Sequence, residues 1–398
     1  MTAKSMVSRF LSAVLILSAT LLLSGCTWAR QVADAFYGGL GKLVVGEPQE
    51  AEAVSEERYA YQQLEPEEQT VYNQIVETVE QQAERAPVST ESEKTLERAY
   101  TAVMADYGEF FWVSGYRYNT YTSGDQIIGM EILPVYTMDA AQREEKQRQI
   151  EAEAARWLEG ISPEAGDYEK AKFVYETLIR RVDYALDAVE SQNILSVFLY
   201  GETVCQGYAE AASYLLQQLG IQSAVVTGTA QGEPHAWNLV RLDGEYYYMD
   251  VTWGNSTYLT EDEQEKKTVD YAYLNLTTEE LMETHTADGQ ISLPLCTATE
   301  DNYFRREGLY FSQWDPVAIG KVFGEAWQRR DVSAEVRLSD PALYQRTVEY
   351  FILSLTGELW ISVREWGMSI IGKIPSFRSS LYNSKIFVKY VYKRRFLC

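Results

Sequence analysis

An α+β fold is predicted for this chain, and three observations predict it. The stretch Cys205-Gln-Gly-Tyr-Ala-Glu-Ala-Ala-Ser-Tyr-Leu-Leu-Gln-Gln-Leu219 spaces Tyr208, Ala212, Leu215, Leu216 and Leu219 along one helix face, and Gly220 stops it. Two alternating runs, His235 to Leu242 and Glu245 to Trp253, flank Asp243-Gly244, a dipeptide suited to a two-residue turn, and read as an antiparallel hairpin. Amphipathic helical stretches and a second hairpin precede both. A helix opened by a cysteine, packed on an antiparallel sheet, is the expected centre of the fold.

In chain order, Pro66 to Ala86 reads as a helix: Val71, Ile75, Val79 and Ala83 form its stripe, proline stands in its first turn, and Pro87 ends it. A second helix is predicted from Glu91 to Ala105. Phe110 to Thr122 and Gln126 to Val135 alternate around Ser123-Gly124-Asp125 and predict a hairpin. Asp139, with Gln142 three residues on, caps a helix reaching Leu158, whose polar stretch Gln142 to Gln149 marks an exposed face. Asp167 to Val182 carries the stripe Ala171, Val174, Leu178 and Val182 and is expected beside the cysteine helix. After Trp253, a polar and acidic stretch to Asp270 reads as a loop at a cleft rim. Tyr271 to Leu276 reads as a short strand, and Thr277-Thr-Glu-Glu280 opens a helix by a capping box. Val332 to Leu338 adds a strand, with a helix after Asp340-Pro341.

The hairpin carries the chemistry. A two-residue loop sets Leu242 opposite Glu245, and counting back sets Trp237 opposite Asp250 and His235 opposite Thr252. His235 and Asp250 then share a face as diagonal neighbours, near enough for imidazole and carboxylate to meet. The end of the Cys205 helix is expected against that face. A helix N-terminus and an adjacent imidazolium both stabilise a thiolate. Cys205 is then the nucleophile, His235 the group that takes and returns a proton, and Asp250 the group that fixes the ring. Tyr208, Trp237 and Trp253 are candidates for lining the cleft. His285 lies in Glu283-Thr-His-Thr-Ala-Asp-Gly289, read as a loop and so as a poorer base than His235. Two histidines and one reactive cysteine fall short of a zinc cage, so no metal is expected.

At these residues the sequence resembles the transglutaminase-like superfamily of papain-like thiol enzymes. Thr203-Val-Cys-Gln-Gly-Tyr-Ala209 is similar to its nucleophile motif, Glu233-Pro-His-Ala-Trp-Asn238 to its histidine motif, and Tyr247-Tyr-Met-Asp-Val-Thr-Trp253 to its acid motif. The resemblance covers roughly Tyr168 to Trp253, a minority of the chain. It implies the transglutaminase-like fold, no metal or organic cofactor, and an acyl-thioester on Cys205 formed from amide bonds of proteins, peptides or cell-wall peptides. Hydrolysis and acyl transfer both stay open, as does a catalytically inactive binding module of the cell surface. Leu199 stands where papain-type enzymes use a glutamine for the oxyanion hole. Gln192 and Tyr184 are the candidates for the second donor beside the Cys205 amide.

Lys4 and Arg9 precede the apolar run Phe10 to Leu23, too short for a comfortable membrane span and suited to a signal peptide. Leu23-Ser-Gly-Cys26 resembles the bacterial lipobox, which implies lipidation of Cys26 and an extracytoplasmic protein anchored to the cell membrane by lipid. The expected parts are a lipoprotein signal peptide over 1–25, an acidic tether over 26–57 and a helical and hairpin region over 58–165. The transglutaminase-like core over 166–300, a strand and helix extension over 301–370 and a basic tail over 371–398 follow. The chain's net charge of −23 becomes about −25 without Lys4 and Arg9, a surface that repels nucleic acid. With Cys26 lipidated and Cys205 reactive, Cys296 and Cys398 alone remain for a disulfide, so no disulfide framework is expected. Ile371 to Cys398 holds seven basic residues and no acid. It reads equally as a basic segment docking on an acidic surface or as an atypical end, and no fold is predicted for it.

Overall fold

The computed structural model describes residues 45–48, 51, 57–255, 269–329, 333–354, 361–365, 377–382 and 385–391. The expected signal peptide, Cys26, most of the tether, most of the acidic stretch after Trp253, and Cys398 lie outside the described residues. One compact unit gathers Leu64–Val103 and Trp112–Ala140, and a second gathers Glu56–Gln63, Met104–Phe111 and the chain from Ala141 on. From Ala141 on, the helix predicted to reach Leu158 belongs to the second unit.

In the first unit, α1 (Pro66–Glu80) buries Val71, Tyr72, Ile75 and Val79. It ends at Glu80, not Ala86. Gln82 takes a positive φ of 51° and Ala83 N–H reaches back to the Thr78 carbonyl, which turns the chain although the apolar spacing continues. Ala86–Val88 then forms β1, where Pro87 sits in an edge strand that has no need of its missing donor. After α2 (Glu93–Asp106), β2 (Val113–Ser123) and β3 (Gln126–Tyr136) form the predicted hairpin, and the sheet order is β1-β3-β2. Ile128, Met130 and Ile132 of β3 are buried.

The second unit continues with α3 (Ala140–Leu158) and α4 (Asp167–Arg181), then the short parallel pair β4 (Asp183–Tyr184) and β5 (Glu202–Thr203). Next come the cysteine helix α5 (Cys205–Gln218) and three antiparallel strands: β6 (Ser223–Ala230), β7 (Glu233–Leu242) and β8 (Glu245–Met249). The β7–β8 turn has the positive φ values of 48° and 93° at Asp243 and Gly244 that a type I′ turn needs. Its register runs from Leu242↔Glu245 to Asn238↔Met249. There the strand stops, because Asp250 caps the single turn α6 (Val251–Gly254). The predicted pairing of His235 with Thr252 is replaced by a register pair with Gly228 of β6.

Tyr271–Tyr273 is a 3₁₀ turn rather than a strand, since the Asp270 side chain accepts from Ala272 N–H. Leu276 alone bridges to Tyr248. After α7 (Thr278–Met282), which has the Thr277/Glu280 capping box, β9 (His285–Ala287) completes a sheet of order β8-β7-β6-β9. Gly228 makes room for β9, because a Cβ there would stand 2.1 Å from the Thr286 carbonyl oxygen. Further on, β10 (Tyr310–Phe311), α8 (Pro316–Arg329), β11 (Ser333–Leu338) and α9 (Pro341–Ser354) precede β12 (Ile361–Glu365), β13 (Phe377–Tyr382) and β14 (Lys385–Val391). The described part of the basic tail thus supplies strands to a sheet of order β10-β11-β14-β12-β13.

Alternation along β7 sorts its side chains between two layers. Ala236 packs with Val225 and Ala209 of α5, and the buried Asn238 amide donates to the Ala209 carbonyl at 2.8 Å. Trp237 and Leu239 turn the other way, into a layer with Tyr59, Val226, Tyr248, Leu276, Leu281 and Cys296. The body of α5 therefore lies on the face opposite to the one expected. Small side chains at that contact bring the helix close to the sheet.

Candidate active site

Cys205 is the first residue of α5, partly exposed. Val204 before it is extended and has no side-chain oxygen to accept the N–H groups of the first turn. Those amides and the helix dipole favour negative charge at that end. The chain before the helix is tied to itself: the Thr203 hydroxyl donates to the Ser191 carbonyl at 3.1 Å and lies 2.6 Å from Ser196 Oγ, which donates to the Asn193 carbonyl at 2.7 Å. A Cβ on Gly207 would come within 2.0 Å of Thr203 Oγ1, so only glycine permits this approach. Burial pushes the Glu210 carboxyl up to about 8 against the hydrogen bond from Gln206, so this group on the same helix adds little negative charge at neutral pH.

His235 Nε2–H donates to Asp250 Oδ2 at 2.8 Å. The Cys205 sulfur also faces the ring, and with Nε2 taken by Asp250 the nitrogen left for it is Nδ1. Although α5 packs on the other face, its first residue meets His235. Burial disfavours the charged ring, but the Asp250 carboxylate and then the Cys205 sulfur outweigh it and raise the His235 pKa to about 10. Asp250 is 0 % exposed. Its Oδ1 accepts from Trp253 N–H at 3.0 Å, and its backbone N–H donates to the Tyr273 carbonyl at 3.0 Å. Burial pushes its carboxyl up, but His235 first and then His285 override that and hold it below the usual carboxylate range.

The sequence reading set His285 in a loop, as a poorer base than His235, and did not bring it to Asp250. It is a buried strand residue of β9, not a loop residue, and its Nε2 lies 3.1 Å from the same Asp250 Oδ2. Three residues of strand are too short to show alternation, and the register partner, Ala230, lies far back in the chain. Asn238 was quoted within the histidine motif, but its tie between β7 and α5 needs the fold to be seen.

Two residues expected to line a cleft are core instead. Trp237 is 1 % exposed, and Tyr208 is fully buried with its hydroxyl donating to the Val182 carbonyl and accepting from Asn255. Trp253 is half-buried, its ring 6.0 Å from that of His235. Gln192 is exposed, with its amide near Ser191 Oγ at 3.5 Å, so nothing aims it at the sulfur. Tyr184 lies in β4, in register with Thr203 two residues before Cys205. Cys296 is a free, buried thiol rather than half of a disulfide.

His235, Asp250 and His285 bring three donor atoms within 4.8 Å of one another, close enough to hold a metal ion. A metal would require both Nε2 atoms to shed their protons and would break the chain from Asp250 to the sulfur. Hydrogen bonds already account for the position of both rings and the carboxylate.

Residues 155–251 match the family model of the transglutaminase-like superfamily. Kyphoscoliosis peptidase of Mus musculus is 24% identical over 106 residues, 22% of this chain and 16% of the relative, so the chain spans a small part of that protein. Among solved structures, a TGase is similar at 11% identity with a TM-score of 0.27, covering 46% of this chain and 52% of the other. The periplasmic domain of TgpA from Pseudomonas aeruginosa is similar at 16% identity with a TM-score of 0.21, covering 35% and 63%. The family match contains the cysteine helix, the β7–β8 hairpin and Asp250, on a helix-and-antiparallel-sheet scaffold, so this part of the chain has a transglutaminase-like fold.

Proposed function

We propose that the protein is a thiol acyl enzyme acting on amide bonds of proteins, peptides or cell-wall peptides. The observation that carries this reading is the continuous chain from a partly exposed thiol at an open helix end, through one imidazole, to a buried and fully hydrogen-bonded carboxylate. In the first half-reaction the Cys205 sulfur attacks the amide carbon, the carbon–nitrogen bond breaks, and the His235 imidazolium gives its proton to the departing amine. In the second, water or an amine loses a proton to His235 as it attacks the thioester, and the thiolate is released. Asp250 keeps the ring turned with Nδ1 toward the sulfur throughout. The helix-end amides of α5 are suited to the oxyanion.

The test is a glutamine-containing peptide and a cell-wall peptide incubated with the enzyme, with and without a primary amine. Mass spectrometry reads ammonia loss, cleavage or amine incorporation. Product in the native protein and none in Cys205→Ala is expected; the absence of any product, together with a Cys205 no more reactive than a free thiol, favours the inactive binding module. The name peptidase borne by the mouse relative gives hydrolysis its support, and the amine arm decides between hydrolysis and transfer. The lipid anchor at Cys26 is part of the same proposal. Labelling by a radioactive fatty acid that is lost in Cys26→Ala checks it.

A further inference from the structure

The two histidines of this chain converge on a single oxygen atom. Asp250 Oδ2 receives His235 Nε2 at 2.8 Å and His285 Nε2 at 3.1 Å, while Oδ1 takes the Trp253 amide. A carboxylate with no exposure has no water to share its charge, so these protein donors are what keep it ionised and in one orientation. His285 is itself held from every side. Its strand is paired with β6 by the register Ala230↔His285, and its ring sits among Trp253, Trp237 and His235, with centroid separations of 4.8, 5.0 and 5.4 Å.

The remaining nitrogen of His285 fixes the proton. Thr284 Oγ1 lies 2.7 Å from Nδ1, much closer than its alternative acceptor, the Leu281 carbonyl, at 3.3 Å. When the hydroxyl donates its hydrogen bond to Nδ1, that nitrogen is the acceptor and the ring proton resides on Nε2, pointing at Asp250.

We propose that His285 is a positioning residue of the acyl-transfer site: with its proton set by Thr284, it donates a second hydrogen bond to Asp250 Oδ2 and so keeps the carboxylate charged and aimed at His235. It acts through Asp250 and touches neither the thiol nor a substrate. The titratable groups that face this carboxylate are His235 from β7, His285 from β9 and Tyr175 from α4, with Cys205 of α5 facing His235. The proposal rests on the reading of Cys205, His235 and Asp250 as an acyl-transfer triad.

Because the chain has only two histidines, nitrogen-15 histidine labelling gives two ring signals, and His285→Phe deletes one to assign both. The His285 ring is expected to carry its proton on Nε2 and to lose that preference in Thr284→Val. A ring protonated at Nδ1 alone overturns the proposal. The second readout is alkylation of Cys205 by iodoacetamide across pH. His285→Phe keeps a ring but has no donor, and loss of a bond to a charged partner is expected to slow alkylation at about pH 6 by about tenfold relative to about pH 9. His285→Gln returns an N–H to nearly the same point and is expected to recover most of that loss. A folded His285→Phe with the native profile overturns the proposal. Should His285→Phe not fold, Thr284→Val replaces it, with a smaller change in the same direction and rescue by Thr284→Ser; a native ring signal and profile in Thr284→Val overturns the proposal equally. A native Cys205 as slow as a free thiol is the separate failure of the triad reading, which the ring signals do not depend on.

Discussion

Cys205 and Cys296 are both free thiols of the same unit, set in opposite surroundings. Cys205 stands at an open helix end, partly exposed, with an imidazole on its sulfur. Cys296 is 3 % exposed among Val226, Trp237, Leu239 and Tyr248, and burial pushes its thiol up to about 11 despite hydrogen bonds with Thr278 and Tyr248. Neither residue type nor compartment separates the two. What separates them is whether the surroundings supply positive charge or remove water without replacing it.

The comparison breaks most sharply at the charge behind the imidazole. Asp250→Asn keeps the shape but turns an amide toward a ring that needs a carboxylate, and turnover is expected to fall by about 10³- to 10⁴-fold. The kcat/KM on whichever peptide the product assay identifies measures it, with circular dichroism to verify folding. A loss under about tenfold would mean that the reactive thiol owes little to the chain behind it.

Labelling sharpens the comparison directly. Iodoacetamide at about pH 7 is expected to modify Cys205 at least about 100-fold faster than Cys296, because the buried thiol is both inaccessible and protonated. Peptide mapping with and without denaturant counts each site. His235→Ala removes the imidazole but leaves exposure, and is expected to bring the Cys205 rate down to that of an exposed, unassisted thiol. Equal labelling of both cysteines in the native protein would erase the distinction.

The imidazolium also sets a pH limit. His235 is raised to about 10 by Asp250 and the sulfur against its burial, so the ring holds the proton needed by the leaving amine until the pH rises through that value. The rate is expected to fall on the alkaline side near pH 10, and in Asp250→Asn to begin falling nearer ~6.5, the value of a free histidine. The stability that the pair contributes has the same sign. It is fully present below ~6.5 and lost as the pH climbs to about 10, which chemical denaturation at a series of pH values reads.

How far these surroundings were legible depended on sequence distance. The Asp243-Gly244 turn fixes a local register, so Leu242↔Glu245 and its continuation to Asn238↔Met249 followed from counting. The same counting ran three residues too far, to Thr252, because Asp250 stops being a strand residue where its side chain finds the Trp253 amide to cap. His285 was out of reach, since its strand exists only by pairing with Ala230 and Gly228 through a space that no local pattern announces. Pro87 misled in the same way: a proline stops a helix in sequence, yet here the helix had already turned and the proline sits in an edge strand. The roles of Tyr208 and Trp237 turned on which face is core, and alternation gives two faces without saying which one is covered.

The smallest effect tests whether the two thiol regions are independent. Gly207→Ala belongs to the Cys205 side: its methyl would press on Thr203 Oγ1, and forcing that loop off the helix is expected to cost about 1–3 kcal/mol and to slow Cys205 labelling as well. Cys296→Ala belongs to the other side. It removes one sulfur from a packed layer, with an expected cost of about 1 kcal/mol in a urea melt and no change in turnover or in the Cys205 labelling rate. Cys296 does share its layer with Trp237, which lies two residues from His235 on the same strand with ring centroids 6.1 Å apart. A Cys296→Ala protein that melts like the native one yet labels Cys205 more slowly would mean that this layer steers the imidazole, and the two regions would then have to be treated as one.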